Sequence, residues 1–344
     1  MGHRAGVTHD PIAAATGDRW PSSDHEARRF MAARMGRCTP VDTPAIDTDR
    51  YGRGDDPAVL VEPELIEGAV FRAIAVADSG TRINHTGFAG FLDGTQSIGV
   101  VSLVDGIPIV WGTVAAAIRV RVDRRLVSWH GTEPAVERRY YLPFRYLSDL
   151  QESLRVDARV VDTAVSDTRG KFPSRHPAAL LEAAVQRVGQ DRERLEQALA
   201  ESWCATEDAA LYVDGSITSS AVVSASPVAV GVIKTHRRLY AEGAAFAVVA
   251  GLAAGERSSV FRVAPRSRYP VASWYLRVRK PAGRDALFGL VRVEAALTDD
   301  IETRSGEISR WILAEGAPLA LPDARWDKMA YGVRGTEEFL RAIS

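Results

Sequence analysis

The sequence has few cysteines, few lysines and no long apolar run. Cys38 and Cys204 are its two cysteines, and their separation fits no metal-binding or redox motif, so we expect a reducing cytoplasm and no disulfide framework. The longest apolar run, residues 244–254, is far shorter than the roughly 20 residues of a membrane-spanning helix. The first ten residues lack the apolar core of a signal peptide. We therefore expect a cytoplasmic protein without a membrane partner.

The charge composition excludes a general cationic coat for nucleic acid. Lysine supplies four of the 43 basic residues and arginine the rest, while 44 acidic residues bring the formal net charge to −1. A local basic groove remains compatible with this balance. The apolar content of 46% and the charged content of 25% are typical of globular domains, and 344 residues suffice for one large domain or two ordinary ones.

The order of sequence patterns predicts an α/β fold with a mixed, substantially antiparallel sheet. Residues 1–56 have little periodicity, so we expect a poorly structured or accessory segment there, with one short helix at 25–37, ahead of a domain at 57–344. Residues 58–130 have the pattern of successive strands. Residues 175–203 have the apolar spacing of a long helix, and further strands and a closing helix follow.

Two stretches share an unusual design, in which an apolar run ends in Asp-Gly followed by Ser or Thr. They are FLDGT at 91–95 and LYVDGSI at 211–217. A carboxylate next to a glycine at a strand end is suited to a metal or phosphate, because glycine lets another group approach the backbone. The alternative is a structural hairpin turn, as we expect at Asp105-Gly106. We expect residues 211–234 to form a hairpin as well.

The order of acidic residues is compatible with metal-dependent phosphodiester hydrolysis. Two-metal sites need several converging carboxylates, and Mg²⁺ or Mn²⁺ prefers oxygen ligands. Ribonuclease-H-like folds supply an Asp from the first strand, a Glu from a helix, an Asp from a later strand and a last acid or His from the closing helix. Asp93, a glutamate of helix 175–203, Asp214 and a C-terminal acid reproduce that order.

The chain resembles the NurA nuclease family, on motifs that together cover roughly residues 85–344. These motifs are FLDGTQS (91–97), RERLEQALA (192–200), LYVDGSI (211–217), VGVIK (230–234), LVRVEAAL (290–297) and YGVRGTE (331–337). The resemblance implies an RNase H-like mixed sheet with flanking helices, and a divalent-metal-dependent nuclease that processes DNA ends in DNA repair.

The resemblance also implies the site residues. It makes Asp93 and Asp214 metal-binding carboxylates and Glu196 the helix ligand, with Glu182 as the alternative. Glu337 matches the position of the family's terminal His or Asp, and Gly332 replaces the proline of its Tyr-Pro pair. A glutamate can bind a metal, but it cannot act as an imidazole acid or base.

The expected ligands and partners follow from the same resemblance. The cofactor is Mn²⁺ or Mg²⁺, and the partners are DNA, a HerA-like hexameric ATPase and a second copy of the chain. The residues expected to contact DNA phosphate are Lys234, Arg237, Arg238, Arg277 and Arg279.

Two other functions compete with a nuclease. A catalytically inactive NurA-like adaptor would bind DNA and the ATPase without cutting, and the missing terminal histidine favours it. An actin-like or sugar-kinase-like phosphotransferase would use the Asp-Gly-Thr turns to hold phosphates. The sequence has no Gly-x-x-x-x-Gly-Lys-Ser/Thr phosphate loop, and its helices do not form two repeated nucleotide-binding halves, so this function is the least favoured.

Overall fold

The structure, a computed structural model, divides into two compact units. It describes residues 20–35, 38–40, 59–76, 86–123, 125–148, 152–167, 170–265, 268–280, 286–316 and 330–343. Unit 1 comprises Met1–Ile46, Ile98–Gly112 and Arg138–Ala184, and unit 2 comprises Asp47–Ser97, Thr113–Glu137 and Val185–Ser344. These ranges differ from the division at residues 56 and 57 that we predicted, because several stretches after residue 57 belong to unit 1.

Unit 1 contains the predicted N-terminal helix, and the helix is packed. Helix α1 (Asp24–Arg34) begins after Ser23, whose hydroxyl accepts a hydrogen bond from the Glu26 amide. Ala27 and Met31 on its inner face are fully buried, and the Tyr140 hydroxyl donates to the Ala27 carbonyl at 2.6 Å. The described part of residues 1–56 thus contributes to the core of unit 1.

Two long strands, β5 and β6, have residues in both units. The shorter strands before them are β1 (Cys38–Pro40), β2 (Val59–Leu60), β3 (Glu64–Leu65) and β4 (Ala73–Ala75). Strand β5 (Phe88–Val104) turns at Asp105-Gly106 into β6 (Ile107–Val122). The φ angles of 49° and 79° at the two turn residues fit a type I′ hairpin, as predicted. By contrast, Asp93-Gly94 lies inside β5 and makes no turn, so the alternative of a structural hairpin turn does not apply to this stretch.

Strand β7 (Arg125–Ser128) pairs with β6 and belongs to unit 2.

The rest of unit 1 consists of short strands and helical turns. Strand β8 (Ala135–Leu142) follows and pairs in parallel with β9 (Val160–Asp162). The short helix α2 (Glu152–Arg155) lies between them in the chain.

The long helix α3 (Pro177–Thr206) agrees with the prediction to within three residues at each end. Proline at its first position costs no hydrogen bond, because the first amide groups of a helix have no partner within it. Within unit 2, the helix buries Val185, Val188, Leu195 and Trp203.

The segment after α3 is a parallel β-α-β unit, so the predicted hairpin at 211–234 is wrong. Strand β10 (Ala210–Asp214) is followed by helix α4 (Ala221–Ala225) and strand β11 (Ala229–Ile233). Strand β10 pairs in parallel with β11 on one side and with β5 on the other. Parallel neighbours need a crossover of about a dozen residues or more, which the α4 segment supplies.

Unit 2 is built on a mixed sheet in the order β3-β14-β15-β16-β11-β10-β5-β6. Its remaining elements are β12 (Arg238–Leu239), α5 (Ala244–Gly251), β13 (Glu256–Ser258), β14 (Phe261–Val263), β15 (Val271–Arg277), β16 (Leu290–Ala295), α6 (Ile301–Ala314) and α7 (Tyr331–Ile343). Strand β16 is antiparallel to both β11 and β15. The fold is therefore mixed α/β with flanking helices, as predicted.

The sheet of unit 2 has a separate core on each face. Phe91 and Tyr212 pack with residues of α6 and α7, whereas Leu92 and Val213 pack with residues of α3 and α5. Since side chains alternate along a strand, Asp93 and Asp214 project on the same side as Phe91 and Tyr212.

A buried ion pair fastens the segment between β3 and β4 to β13. The Arg257 guanidinium donates to both carboxylate oxygens of Glu67, at 2.6 and 2.9 Å, and the Val260 amide donates to the same carboxylate at 2.9 Å. Burial raises the pKa of Glu67, but the bonds from Arg257 and Val260 outweigh burial, and the pKa lies below the usual 4.5.

We predict that Glu67→Gln lowers the free energy of unfolding by about 3 kcal/mol or more at pH 7, because it leaves the Arg257 charge buried without its partner. Since the folded-state pKa is lowered, ionised Glu67 stabilises the protein above pH 4.5 and loses that effect as the pH falls through its folded pKa. The difference between wild type and variant in urea unfolding should therefore shrink below pH 4.5.

Glu64→Gln is the matched control. Glu64 pairs with Arg262 at 3.5 Å on the surface, so its loss should change the free energy of unfolding by less than about 0.5 kcal/mol. Equal effects of the two substitutions at pH 7 would contradict the assignment of a stabilising buried pair.

Candidate functional site

Parallel pairing of β5 with β10 brings the two Asp-Gly stretches together. Tyr212 lies beside Phe91 and Val213 beside Leu92, so the next step of the same register places Asp214 next to Asp93. The two carboxylates project on the same face of the sheet. The structure therefore places the two predicted aspartates as neighbours.

Asp93 is the most perturbed acid of the site. Its side chain is buried, and the Gly94 amide donates to its Oδ1 at 2.8 Å. Burial raises the pKa of Asp93 well above its usual value, and the negative charge of Asp214 raises it further, whereas Lys234 lowers it. Glu196 and Glu337 raise it as well. All four acids singled out from the sequence thus act electrostatically on one another at Asp93.

Glu196 reaches the site from helix α3, and a glycine makes room for it. A Cβ atom on Gly94 would overlap the Glu196 carboxylate. Burial raises the pKa of Glu196 to about 7, with Arg192 opposing the rise and Asp214 and Glu193 adding to it. Gly94 therefore leaves the space that the Glu196 carboxylate occupies, which explains why a glycine follows Asp93 in the first Asp-Gly stretch.

Two cations are paired with the acids. The Lys234 ammonium lies 2.8 Å from both carboxylate oxygens of Asp214, with 9% of the lysine side chain exposed. Arg192 forms an ion pair with Glu196, one helical turn along α3, and its Nε donates to Gln96 at 3.2 Å. The sequence had indicated Lys234 as a phosphate contact, but it gave no indication of Arg192.

A fifth acid, Glu294, holds the loop after Asp214. It is fully buried on β16, and its Oε2 accepts from the Ser216 hydroxyl at 2.8 Å and from the Ile217 amide at 3.0 Å. Gly231 on β11 allows the loop to pass, because a Cβ there would lie 2.7 Å from the Gly215 carbonyl oxygen. Sequence analysis treated Glu294 only as part of a strand motif. The carboxylate of Glu294 in LVRVEAAL, whose one other charged residue is Arg292, was the available signal.

Helix α7 brings the last acid to the site. Glu337 pairs with Arg341 at 2.6 Å and is 16% exposed. Near the start of the helix, Gly332 lies directly against the ring of Phe91, which is two residues before Asp93. Any side chain at this position would overlap the ring, so the packing here requires glycine.

A cleft of about 120 Å³ lies between α3 and the loop that follows β10. Glu196 and Asp214 line it, together with Arg192, the exposed Arg268, and the hydroxyl-bearing Ser216 and Ser219. The lining of the cleft thus offers both carboxylates and arginines to a ligand.

Three other predicted site residues have different surroundings. The prediction that Arg277 contacts DNA phosphate is wrong. Arg277 is fully buried, and its guanidinium donates to backbone carbonyls including those of Val249, Leu252 and Ala286. Arg237 and Arg238 are exposed beside β12.

Glu182, the alternative helix ligand, is exposed. It precedes Glu196 by almost four turns of α3, about 21 Å along the axis at 1.5 Å per residue. The structure therefore favours Glu196 as the glutamate of the site.

The donor chemistry fits Mn²⁺ or Mg²⁺, because Asp93, Glu196 and Asp214 offer oxygen ligands only. Within the described residues, no group of three or more Asp, Glu, His or Cys side chains already has a geometry for holding a metal ion. Arg192 and Lys234 already contact two of the three carboxylates, so a metal bound there would compete with these cations.

No helix in the described ranges is both long and apolar enough to cross a membrane. Comparison with protein families finds no family model that matches the chain, and comparison with curated proteins finds no match to its sequence.

We predict that Gly332→Ala lowers the free energy of unfolding by about 1–3 kcal/mol, because the new methyl group meets the rigid, buried ring of Phe91. Gly94→Ala should cost clearly less, since the group in its way is the end of a flexible side chain, Glu196, which can rotate. Urea unfolding of both variants tests this contrast, and an equal loss of stability would show that Glu196 cannot move.

Proposed function

We propose that this protein is a divalent-metal-dependent nuclease that hydrolyses DNA phosphodiester bonds. The observation that carries the proposal is the pairing of β5 with β10, which places Asp214 next to the buried Asp93, within electrostatic reach of Glu196 on α3 and Glu337 on α7. Bringing acids together in a buried place costs free energy, and such clusters occur where function needs them.

The topology supports the finer expectation of an RNase H-like fold of NurA type. The antiparallel pair β5 and β6 is extended by the parallel strands β10 and β11 in the order β6-β5-β10-β11, and α3 precedes β10 in the chain. In that arrangement the first strand, the helix and the fourth strand each contribute an acid, and here they contribute Asp93, Glu196 and Asp214.

The residues that would hold Mn²⁺ or Mg²⁺ are Asp93, Asp214 and Glu196, with Glu337 beside them. A bound ion would activate water and stabilise charge on the phosphate. Other residues of the chain hold the acids in place. Gly94 leaves space for Glu196, and Glu294 accepts hydrogen bonds from the loop after Asp214. Lys234 offsets the charge of Asp214. Glu337 carries no imidazole, so proton transfer to the leaving group falls to water or to another acid.

DNA is the proposed substrate because the cleft beside the acids carries arginine as well. Arg268 and Arg192 line it and suit a phosphate backbone, while the exposed Arg237 and Arg238 offer further phosphate contacts. A HerA-like hexameric ATPase and a second copy of the chain are proposed as partners on the resemblance alone.

A catalytically inactive adaptor is the second candidate function. It is favoured by the existing ion pairs, since Lys234 and Arg192 already neutralise Asp214 and Glu196 without a metal. Such an adaptor would bind DNA and its partner with no dependence on divalent ions.

We predict that the protein cleaves DNA in the presence of Mn²⁺. Asp93→Asn and Asp214→Asn should each lower the cleavage rate by more than roughly 100-fold, because losing a residue that only supports a metal ligand can already cost about that much. Cleavage of an end-labelled duplex and of a single strand, followed by electrophoresis, measures this rate. Calorimetric titration with Mn²⁺ should show that both variants lose binding.

Asp105→Asn is the control, because asparagine accepts the positive φ of the β5–β6 turn. It should cut at the wild-type rate. DNA binding without Mn²⁺ binding or cleavage in the wild type would establish the adaptor instead, and full activity in both aspartate variants would rule out the assigned site.

A further inference from the structure

The two cations of the site differ in how firmly they are held. Lys234 contacts both oxygens of Asp214 and is almost fully enclosed. Arg192 contacts one oxygen of Glu196 and the side-chain oxygen of Gln96, and 26% of its side chain is exposed. The pair joins residues four apart on one helix, a spacing that by itself contributes little, so the guanidinium can exchange Glu196 for another anion that offers equivalent hydrogen bonds.

The cleft gives Arg192 a place to move. Arg192 and its partner Glu196 both line the cleft, whereas Lys234 is not among the described residues that do. The cavity of about 120 Å³ beside the guanidinium is large enough for a rotated arginine head or for one phosphate group. Lys234 therefore acts as a fixed counter-charge, and Arg192 as a movable one.

We propose that Arg192 is a displaceable internal cation that couples metal binding to phosphate binding. It holds Glu196 while no divalent ion is bound, and when an ion takes Glu196 it turns into the cleft and contacts a phosphate of the nucleic-acid substrate. This inference rests on the proposed metal-dependent nuclease function.

The physical reasons are charge repulsion and shape. A guanidinium and a divalent cation at the same carboxylate repel each other, so binding of either one to Glu196 weakens binding of the other. Once displaced, the guanidinium fits a phosphate, because its planar fork donates two parallel hydrogen bonds to phosphate oxygens. Metal and substrate phosphate then favour each other's binding, and this coupling must be reciprocal.

Calorimetric titration of the full-length chain with Mn²⁺ alone tests the first half of the inference. Arg192→Gln and Arg192→Met should both bind Mn²⁺ about fivefold more tightly than the wild type or better, at the low end of measured coupling between sites. Arg187→Gln is the matched control, since Arg187 is an exposed arginine of the same helix that contacts Gln190, and it should bind Mn²⁺ as the wild type does.

The transfer of Arg192 to phosphate is tested by measuring, through fluorescence anisotropy, the binding of a short single-stranded oligonucleotide whose phosphorothioate linkages resist cleavage. Mn²⁺ should tighten binding of this oligonucleotide to the wild type and to Arg187→Gln by about fivefold or more. In both Arg192 variants this gain should fall to less than half. A gain equal to that of the wild type would overturn the transfer of Arg192 to phosphate.

The outcomes separate this inference from the function on which it rests. If the wild type binds Mn²⁺ and the Arg192 variants bind it equally or more weakly, Arg192 is not a displaceable cation, although the metal site stands. If neither the wild type nor the Arg192 variants bind Mn²⁺, the proposed nuclease function itself fails.

Discussion

The parallel pairing of β5 with β10 is the contact on which the rest of the candidate site depends. It places Asp93 beside Asp214 although more than a hundred residues separate them in the chain. Parallel neighbours project equivalent residues on the same face, so one register decides whether the two carboxylates meet. Helix α3 precedes β10, and α7 packs Gly332 on Phe91, so Glu196 and Glu337 reach the same place.

Electrostatic cost explains the remaining features of the site. Burial and the neighbouring acids both raise the pKa of Asp93, and the pKa of Glu196 rises to about 7, so the acids resist being ionised together. Lys234 and Arg192 reduce this cost, and Glu294 holds the adjoining loop rigid from a fully buried position. The cluster is retained at the expense of stability, which is the usual mark of a functional site.

The sequence predicted the elements with strong periodicity and the acids at strand ends. Helix 175–203 and the Asp105-Gly106 turn were predictable because each follows from local chemistry. The parallel unit at 211–234 was not predictable: Asp-Gly is typical of turns, and the short helix α4 consists of Ala, Val and Ser without amphipathic spacing. Arg277 was misassigned because sequence shows a charge but not its burial among carbonyl groups. Arg192 was missed although its spacing to Glu196 on the predicted helix was visible; only its contact with Gln96 needed the fold.

Helix α7 carries two features that bear on how the proposed site would act, Gly332 against Phe91 and Glu337 near Asp93. Gly332 follows from packing, since its contact with Phe91 leaves no space for a side chain. Glu337 instead adds a negative charge next to Asp93, where a histidine would add none or a positive one. A site with this extra charge needs more cation to hold it together. In the function that we propose, the divalent ion and Arg192 would be parts of a single charge balance, in which a change at either one affects the other.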